Sequence, residues 1–468
     1  MPRLDNSLDT LARATFAATL FVLPWLHGAE LFWEQLFVAA GLFMALLFTL
    51  MHKNIFAEIS RPALLVLTTF CVWLLYSALY LVPLPANWIA WLSPNTHQWQ
   101  SNVELAETGY LTLYRQATII EVFKFAGLIC VFFLTGSLFR SVYRLRLLAY
   151  AVIIAGFTTA VYSQLNFATG GAFELVEAIP PWDFSWFEGI RGTFSYKNQY
   201  AVYMLVCLAV SVGVLVDEVM ESRSVAGPED RRAWLTPATV FLLVAVILFF
   251  MTLLNTSSRG ALLALLAGTG LSLGLLMLRN RTLLKRLLKP KYLAIGLGGL
   301  VLAAVVFTQS SIYERFTSEH MADNGRTLLR NTVVKVIDDY PAFGTGPGTY
   351  PFIQHNYKPL ELGNTQMSKH SHNDYLETLA TQGVIGMLLL FIPVALLLWR
   401  GFSRSRQFHS TGLLLGCQSA ILAYLIQATY DVNVGVYILP LHFVLLASIL
   451  WQLTAPWLQT TSDNQYTK

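Results

Sequence analysis

Charged residues are scarce in this sequence of 468 residues, where they make up only 12% of the chain. Soluble globular proteins carry about 25% charged residues, so the shortage argues against a soluble enzyme, a disordered chain and a nucleic-acid-binding protein. Hydrophobic residues account for 55% of the sequence, and the mean hydropathy is +0.54. The composition therefore predicts a polytopic membrane protein that binds no nucleic acid.

Cysteine is also rare, with four residues: Cys71, Cys130, Cys207 and Cys417. All four fall inside long apolar stretches, and no two of them have the CxxC spacing of a metal site. We interpret them as small apolar packing residues. The sequence therefore offers neither a disulfide framework nor a cysteine-bound metal.

Long apolar runs, in contrast, are abundant. A membrane-spanning helix needs about 20 mostly apolar residues, and only helices satisfy the backbone of so many uniform runs in lipid. The prediction is an all-α polytopic membrane protein of about 12 transmembrane helices, folded as a single membrane domain over residues 1–468. The first run is interpreted as a retained helix rather than a cleaved signal. The twelve runs are 12–28, 31–51, 63–83, 120–139, 146–165, 199–216, 236–254, 260–278, 292–309, 376–399, 411–430 and 435–455.

The distribution of cations predicts the orientation of the chain. Most of the 31 lysines and arginines fall in the termini and in alternate loops that are short, and the positive-inside rule assigns these segments to the cytoplasm. Both termini are then cytoplasmic, as the even number of runs requires. The longer loops, 84–119, 166–198 and 310–375, lie on the opposite, outer face, where we expect the chemistry to occur.

The largest outer loop, 310–375, separates the ninth and tenth runs. Apolar residues recur at helical spacing between Gly325 and Asp339, Asn324 is a suitable N-cap, and Pro341 ends the pattern. A helix followed by a glycine-rich turn at the membrane surface predicts a lid or side wall over an active site.

Several cations on the outer face oppose the positive-inside rule and therefore suggest a functional role. Arg191 and Lys197 lie where the sixth run begins, and a helix N-terminus with an adjacent arginine favours a phosphate. Arg259 occupies a short hairpin between two runs, and the planar fork of arginine matches phosphate oxygens. Arg326 and Arg330 share one helix face at i, i+4 spacing. Snorkelling to the interface or exposure on a solvated face is the structural alternative for these cations.

A histidine cluster precedes the tenth run. It contains His370, His372 and Asn373, followed by Asp374 and Glu377. A histidine can take a proton from a hydroxyl group near neutral pH, so His372 is a candidate general base, and Asp374 or Glu377 either orients it or is a surface acid. A purely structural histidine is one alternative interpretation. A metal site is another, but the cluster is short and no second set of ligands is evident.

Taken in order, these motifs resemble the O-antigen ligase and O-antigen polymerase family of bacterial envelope glycosyltransferases. The similarity covers the arginine-glycine-threonine-phenylalanine stretch at Arg191, the serine-arginine-glycine hairpin at Arg259 and the large loop. It ends with His372-Asn373, which is followed after nine residues by a Gly-x-x-Gly pattern, in a manner similar to the ligase signature.

The resemblance implies a metal-independent, inverting glycosyltransferase of the GT-C type that uses no cofactor. It implies a glycan donor on undecaprenyl diphosphate, transfer on the periplasmic face of the bacterial inner membrane, and Arg191, Arg259 and His372 as catalytic residues. The expected acceptor is lipid A-core, as for an O-antigen ligase. The expected diphosphate- or substrate-binding residues are Arg326, Arg330, Lys197, Asn373 and His370.

Three alternatives remain open. A polymerase of the same family would build O-antigen or exopolysaccharide repeats on a growing glycan acceptor, and a protein O-oligosaccharyltransferase would modify a protein hydroxyl. A lipid-linked glycan transporter belongs to another class of protein. Transporters favour internal repeats and charges at the membrane midplane, whereas here the polar residues concentrate at the outer rim.

Overall fold

The chain is mostly helical in the computed structural model. The structure describes residues 2–52, 59–102, 107–177, 189–226, 234–279, 324–360, 369–403 and 410–455. Its long helices are α1 (Pro2–Val22), α2 (Phe32–His52), α3 (Arg61–Leu79), α6 (Arg115–Leu138), α7 (Val142–Ala168), α8 (Lys197–Ala226), α9 (Pro237–Asn255), α10 (Arg259–Arg279), α11 (Asn324–Asp339), α13 (Asp374–Ser403), α14 (Thr411–Gln427) and α15 (Ile438–Leu453). The short helices are α4 (Ala86–Leu92), α5 (Pro94–Ser101) and α12 (Tyr350–Ile353).

The helices account for nearly every apolar run predicted from the sequence. All of these runs coincide with helices except 292–309, which lies outside the described residues. Within the described residues, eight helices are long and apolar enough to cross a membrane, and α14 and α15 are shorter apolar helices. The chain is therefore a multi-pass, all-α membrane protein, as predicted, while the number of twelve spans and the GT-C type stay predictions.

The first predicted run ends earlier than expected. Helix α1 ends at Val22, a 3-10 turn follows at Leu23–Trp25, and His27, Gly28 and Ala29 then adopt positive φ angles. Three successive left-handed residues cannot continue a right-handed helix. The connection between α1 and α2 is consequently a fixed turn rather than the last part of a span.

Close packing of small residues brings the central helices together. A Cβ atom on Gly213 of α8 would lie 2.5 Å from the carbonyl oxygen of Gly412, and one on Gly416 of α14 would lie 2.5 Å from the carbonyl oxygen of Ala209. Glycine at these positions lets the two backbones approach as closely as membrane helices do. Most residues of α14 and α15 are buried, so these two helices form the centre of the bundle.

Helix α13 is interrupted at Gly383, which has φ 65° and ψ −179° in the middle of the helix. The segment 341–346, which follows α11, lies beside the break. The N–H of Val384 donates to the carbonyl oxygen of Pro341 at 2.9 Å, and the N–H of Gly346 donates to that of Thr381 at 2.8 Å. A broken membrane helix needs such replacement partners for its backbone groups. The glycine-rich turn after α11 therefore completes α13, a role that the hydropathy of the run does not predict.

The predicted outer face also carries a small two-stranded β-sheet. Strand β1 (Leu84–Pro85) pairs antiparallel with β2 (Thr108–Gly109), with Leu84 opposite Gly109. The turn after α11 reaches this region, because the N–H of Leu113 donates to the carbonyl oxygen of Thr345 at 2.9 Å. The segment after β2, the turn after α11 and the break in α13 are thus linked by backbone hydrogen bonds.

Candidate active site

The segment 189–198, here called the first motif, carries Arg191 and Lys197 and lies against the Asn255–Gly260 hairpin that carries Arg259. The N–H of Ile190 donates to the carbonyl oxygen of Asn255 at 2.9 Å, so the strand of chain that carries Arg191 runs along the Asn255–Gly260 hairpin. The hydroxyl of Tyr430 donates to the carbonyl oxygen of Gly260 at 2.7 Å and fixes the far side of that hairpin. Motifs that are about 65 residues apart in sequence are therefore neighbours, as expected if they share one site.

His372 occupies a constrained position in front of α13. It is buried, with 8% of its surface exposed, and its φ of 55° is in the left-handed region. Residues with side chains adopt that region at an energetic cost, and such residues are frequent in functional sites. The Nδ1 atom of His372 lies 3.1 Å from Oδ1 of Asp431, with which it forms a hydrogen bond. The carboxylate thus holds the imidazole ring in one orientation.

Asp431 is the residue on which the site converges, and sequence reasoning missed it. It is buried, with 2% exposed, between α14 and α15. Its Oδ2 atom accepts hydrogen bonds from Asn198 at 2.7 Å and from the guanidinium of Arg326 at 3.3 Å. Its Oδ1 atom accepts one from the N–H of Val432 at 2.9 Å, besides facing His372.

The environment of Asp431 favours its charged form. Burial alone would raise the pKa of the carboxyl, but the hydrogen bond to His372, the positive charge of Arg326 and the N–H of Val432 together lower the pKa below its ordinary value. Asp431 is therefore an anion at neutral pH. It presents a fixed negative charge to the imidazole of His372.

Tyr196 links the same groups from the end of the first motif. Its hydroxyl accepts a hydrogen bond from Asn198 at 2.6 Å and lies 3.4 Å from both Oδ1 of Asp431 and the guanidinium of Arg326. Burial, reinforced by the charge of Asp431, raises the pKa of Tyr196. Tyr196 thus stays a neutral hydrogen-bonding group, and its ring meets that of His372 edge-on at 6.1 Å.

Asp374 and Asn373 shape the turn that contains Asp431. Both carboxylate oxygens of Asp374 accept the N–H of Asn433 at 3.1 Å. The side-chain oxygen of Asn373 accepts the N–H of Leu376 at 3.0 Å, and its amide donates to the carbonyl oxygen of Thr429 at 2.8 Å. Asn373, a predicted substrate-binding residue, therefore caps α13 and fastens it to the turn.

His370 has a carboxylate partner of its own. Its Nδ1 atom lies 2.7 Å from Oε1 of Glu377, and Oε2 of Glu377 accepts hydrogen bonds from the N–H and the hydroxyl of Ser371 at 2.9 and 3.1 Å. The expectation that Asp374 or Glu377 orients His372 or lies at the surface is therefore wrong. Both are buried and engaged elsewhere, and Asp431 takes that place, because a turn distant in sequence folds against the histidine cluster.

Arg191 is buried and engaged with nearby groups. Its guanidinium donates to the carbonyl oxygen of Phe194 at 3.0 Å and to that of Val176 at 3.3 Å, and it forms an ion pair with Glu174. Glu174 is a second residue that sequence reasoning missed. An anionic ligand at Arg191 would take over the role that this carboxylate has here.

The other predicted cations are distributed over several helix starts. Arg259 is the first residue of α10 and Lys197 the first of α8, and both are half-buried. Both therefore lie where helix N-terminal N–H groups attract anions. Arg326 joins the site through Asp431, with 25% of its side chain exposed. The Nε atom of Arg330, one turn later on α11, is buried and has no hydrogen-bond partner within the described residues.

A pocket opens between these groups. His370 and His372 line it together with Tyr196, Gln199, Lys369 and Glu30. The pocket therefore combines the first motif, the histidine cluster and the turn between α1 and α2. Among the described residues, no three His, Cys, Asp or Glu side chains are grouped in a way that could hold a metal ion.

Comparison with known protein families gives a match for the central part of the sequence. Residues 244–391 match the sequence model of a family described as O-antigen ligase. This region belongs to the O-antigen ligase family. The resemblance inferred from the motifs is thereby confirmed, and it identifies a glycosyltransferase-like enzyme. No curated protein matches the chain.

The O-antigen ligase region contributes only part of the site. It contains Arg259, Arg326 and the histidine cluster, whereas Arg191 precedes it and Asp431 follows it. Tyr196 and Asn198, which precede the match, form hydrogen bonds with Asp431, which follows it, and Asp431 also bonds to His372. Residues on both sides of the matched region therefore contribute to the candidate site.

Proposed function

We propose that this protein is a glycosyltransferase that moves a glycan from undecaprenyl diphosphate to a hydroxyl group of lipid A-core, as an O-antigen ligase. The reaction is proposed to occur on the periplasmic face of the bacterial inner membrane, with both chain termini in the cytoplasm. The observation that carries the proposal is the His372–Asp431 pair: His372 lines the pocket and belongs to the matched region, and Asp431 bonds both to it and to Arg326.

His372 is proposed to act as the general base. With Nδ1 held by the Asp431 carboxylate, the imidazole presents Nε2 as its proton-accepting nitrogen. Nε2 takes the proton of the acceptor hydroxyl while the hydroxyl oxygen attacks the anomeric carbon of the donor sugar. The ionised Asp431 stabilises the imidazolium that results, as a buried carboxylate does in other histidine-dependent enzymes.

The arginines are proposed to stabilise the leaving group. As the new glycosidic bond forms on one face of the anomeric carbon, the bond from that carbon to the diphosphate oxygen breaks on the other, so the configuration inverts. Undecaprenyl diphosphate leaves with the bonding electrons, and the negative charge that develops on it is met by Arg191, Arg259 and Arg326. Preorganised cations can supply the electrostatic role that a divalent metal has in other transferases, so the proposed reaction is independent of metal.

The proposal is tested by transfer in a purified system. The protein in detergent micelles is given a radiolabelled glycan on undecaprenyl diphosphate and, as acceptor, either rough lipopolysaccharide or a second lipid-linked repeat. We expect transfer to rough lipopolysaccharide that persists in EDTA and is abolished in Arg259→Ala. The matched control is Arg115→Ala, because Arg115 is exposed and lies over the ring of Tyr110, away from the pocket.

Each outcome has a distinct meaning. Chain extension of the lipid-linked repeat instead of transfer to lipopolysaccharide would make the protein a polymerase. Full activity of Arg259→Ala would contradict the role of the arginines, and loss in EDTA with recovery in a divalent ion would contradict metal independence. Movement of the donor across a vesicle membrane without transfer to either acceptor would identify a transporter.

A further inference from the structure

One wall of the pocket comes from a segment that lies outside the O-antigen ligase region. Glu30, between α1 and α2, lines the pocket that also contains His370 and His372. It therefore faces the same space as the proposed general base, although it precedes the histidine cluster by more than 300 residues.

Glu30 has one satisfied and one unsatisfied carboxylate oxygen. Oε1 accepts a hydrogen bond from the ammonium group of Lys369 at 3.2 Å, and Lys369 lines the same pocket. Oε2 is buried and accepts no hydrogen bond from any residue that the structure describes. Only 10% of the Glu30 side chain is exposed. A buried carboxylate oxygen without a donor is costly, so its position in a pocket points to a donor supplied by a ligand.

The backbone that carries Glu30 is held in place by several contacts. His27, Gly28 and Ala29 have positive φ angles, and the carbonyl oxygens of Gly28 and Ala29 accept the N–H groups of Ile438 and Tyr437 at 2.9 and 3.1 Å. Nδ1 of His27 lies 2.7 Å from Oε1 of the fully buried Glu34. Backbone in sparsely populated conformations that the surroundings over-determine is typical of ligand sites. The turn therefore presents Glu30 at a fixed place.

The chemistry of this wall selects one kind of ligand. An ionised carboxylate only accepts hydrogen bonds, so Glu30 repels a diphosphate and suits a hydroxyl group. Gln199 and Lys369 add donors for the ring or glycosidic oxygens of a sugar. The arginines proposed to bind the donor diphosphate belong to other segments: Arg191 to the first motif, Arg259 to the Asn255–Gly260 hairpin and Arg326 to α11.

From this arrangement we infer that Glu30 binds a hydroxyl group of the acceptor sugar and that the turn between α1 and α2 is the acceptor side of the pocket. The inference rests on the proposed function, since it divides the pocket of that reaction between two substrates. Glu30 is a positioning residue in this scheme. It orients the acceptor so that the hydroxyl to be glycosylated meets His372, and it leaves the donor to the arginines.

The test separates acceptor binding from donor binding. Transfer is measured with the purified protein and the acceptor that the wild-type protein uses, rough lipopolysaccharide or a lipid-linked repeat, and each substrate is titrated while the other is saturating. In Glu30→Gln we expect the acceptor KM to rise about tenfold or more, because a hydrogen bond to a charged group is lost, with the donor KM and kcat little changed. The matched control is Glu107→Gln, since Glu107 is exposed and directly precedes β2.

A second variant keeps the test decisive where Glu30→Gln is unstable. Glu30→Asp keeps the charge but withdraws the carboxylate by one methylene, and we expect a smaller rise in the acceptor KM. An unchanged acceptor KM in the folded variant, or a rise in the donor KM to the same extent, would overturn the inference while leaving the proposed function intact. Absence of transfer by the wild-type protein would instead remove the proposed function before any variant is examined.

Discussion

The two histidine–carboxylate pairs of the pocket draw their carboxylates from different distances along the chain. His370 bonds to Glu377, seven residues later, and the same carboxylate binds the backbone and the hydroxyl of Ser371. His372 bonds to Asp431, 59 residues later, and that carboxylate is shared with groups from the first motif and from α11. The His370–Glu377 pair joins residues that are close in sequence, whereas the His372–Asp431 pair belongs to a network that joins several distant segments.

We interpret the Glu377 pair as structural and the Asp431 pair as part of the proposed reaction centre. The Glu377 pair connects the residues immediately before α13 with the first turn of that helix. The Asp431 carboxylate bonds to groups from α8, from α11 and from the segment before α13, so its full set of contacts forms only when these parts have come together. Residues of the same type, two positions apart, therefore have different proposed roles: His372 exchanges a proton, and His370 lines the pocket.

Removing each histidine in turn is the strongest test of the comparison. We expect His372→Ala to lower kcat by about 10³-fold, as loss of a general base does, and His370→Ala to lower it much less. The measurement is transfer of labelled glycan by purified protein at saturating substrates, with the thermal midpoint as a check on folding. Equal losses in the two variants would mean that the pairs do not differ in role.

Replacing the two carboxylates, Asp431 and Glu377, should give the next largest difference in kcat. Asp431→Asn should lower kcat about 100-fold, because an amide can hold His372 in the wrong tautomer and no longer stabilises an imidazolium. Glu377→Gln should mainly lower the thermal midpoint, since it disturbs the loop before α13. The same transfer assay and a thermal unfolding curve compare them. A larger loss of kcat in Glu377→Gln than in Asp431→Asn would reverse the assignment.

Much of the fold and the general location of the site follow from the sequence. Apolar runs predict the helices because lipid leaves the backbone no other solution, and misplaced cations such as Arg191 and Arg259 predict the face that carries the motifs. The helix Asn324–Asp339 was predictable from its own periodicity and the proline that follows it.

The partners of these residues were not predictable, because they depend on distant contacts. Asp431 lies between two apolar runs, where an isolated acid resembles any loop residue, and nothing local shows that it meets His372. The break in α13 at Gly383 was not predictable either, because the mean hydropathy of the run does not change at a single glycine. A signal for Asp431 did exist: it is an acidic residue at the predicted outer rim, close in sequence to a span that the histidine cluster must face.

Arg326 and Arg330, which lie one helical turn apart on α11, allow a similar comparison between a residue that bonds to Asp431 and its neighbour. Arg326 bonds to Asp431, whereas the Nε atom of Arg330, one turn later, has no hydrogen-bond partner among the residues that the structure describes. Arg326→Gln should lower kcat/KM for the donor about tenfold, the usual cost of losing a hydrogen bond between charged groups, and Arg330→Gln should lower it less. Donor titrations of both variants measure the effect. Equal effects would assign the two guanidinium groups equivalent roles, as their shared helix face alone predicts.

The smallest expected effect is a pH dependence of stability that belongs to the Asp431 pair. Because the pKa of Asp431 is lowered in the folded protein, its ionised form stabilises the fold at every pH above the unfolded value of about 3.9. That contribution is lost as the pH falls through the lowered, folded pKa. Asparagine does not titrate, so a gap should separate the thermal midpoints of wild type and Asp431→Asn at neutral pH. It should then narrow below about pH 4, when both are measured in the same detergent. Curves that stay parallel down to pH 3 would mean that the carboxylate of Asp431 is not held as an anion, and the distinction between the two pairs would then rest on geometry alone.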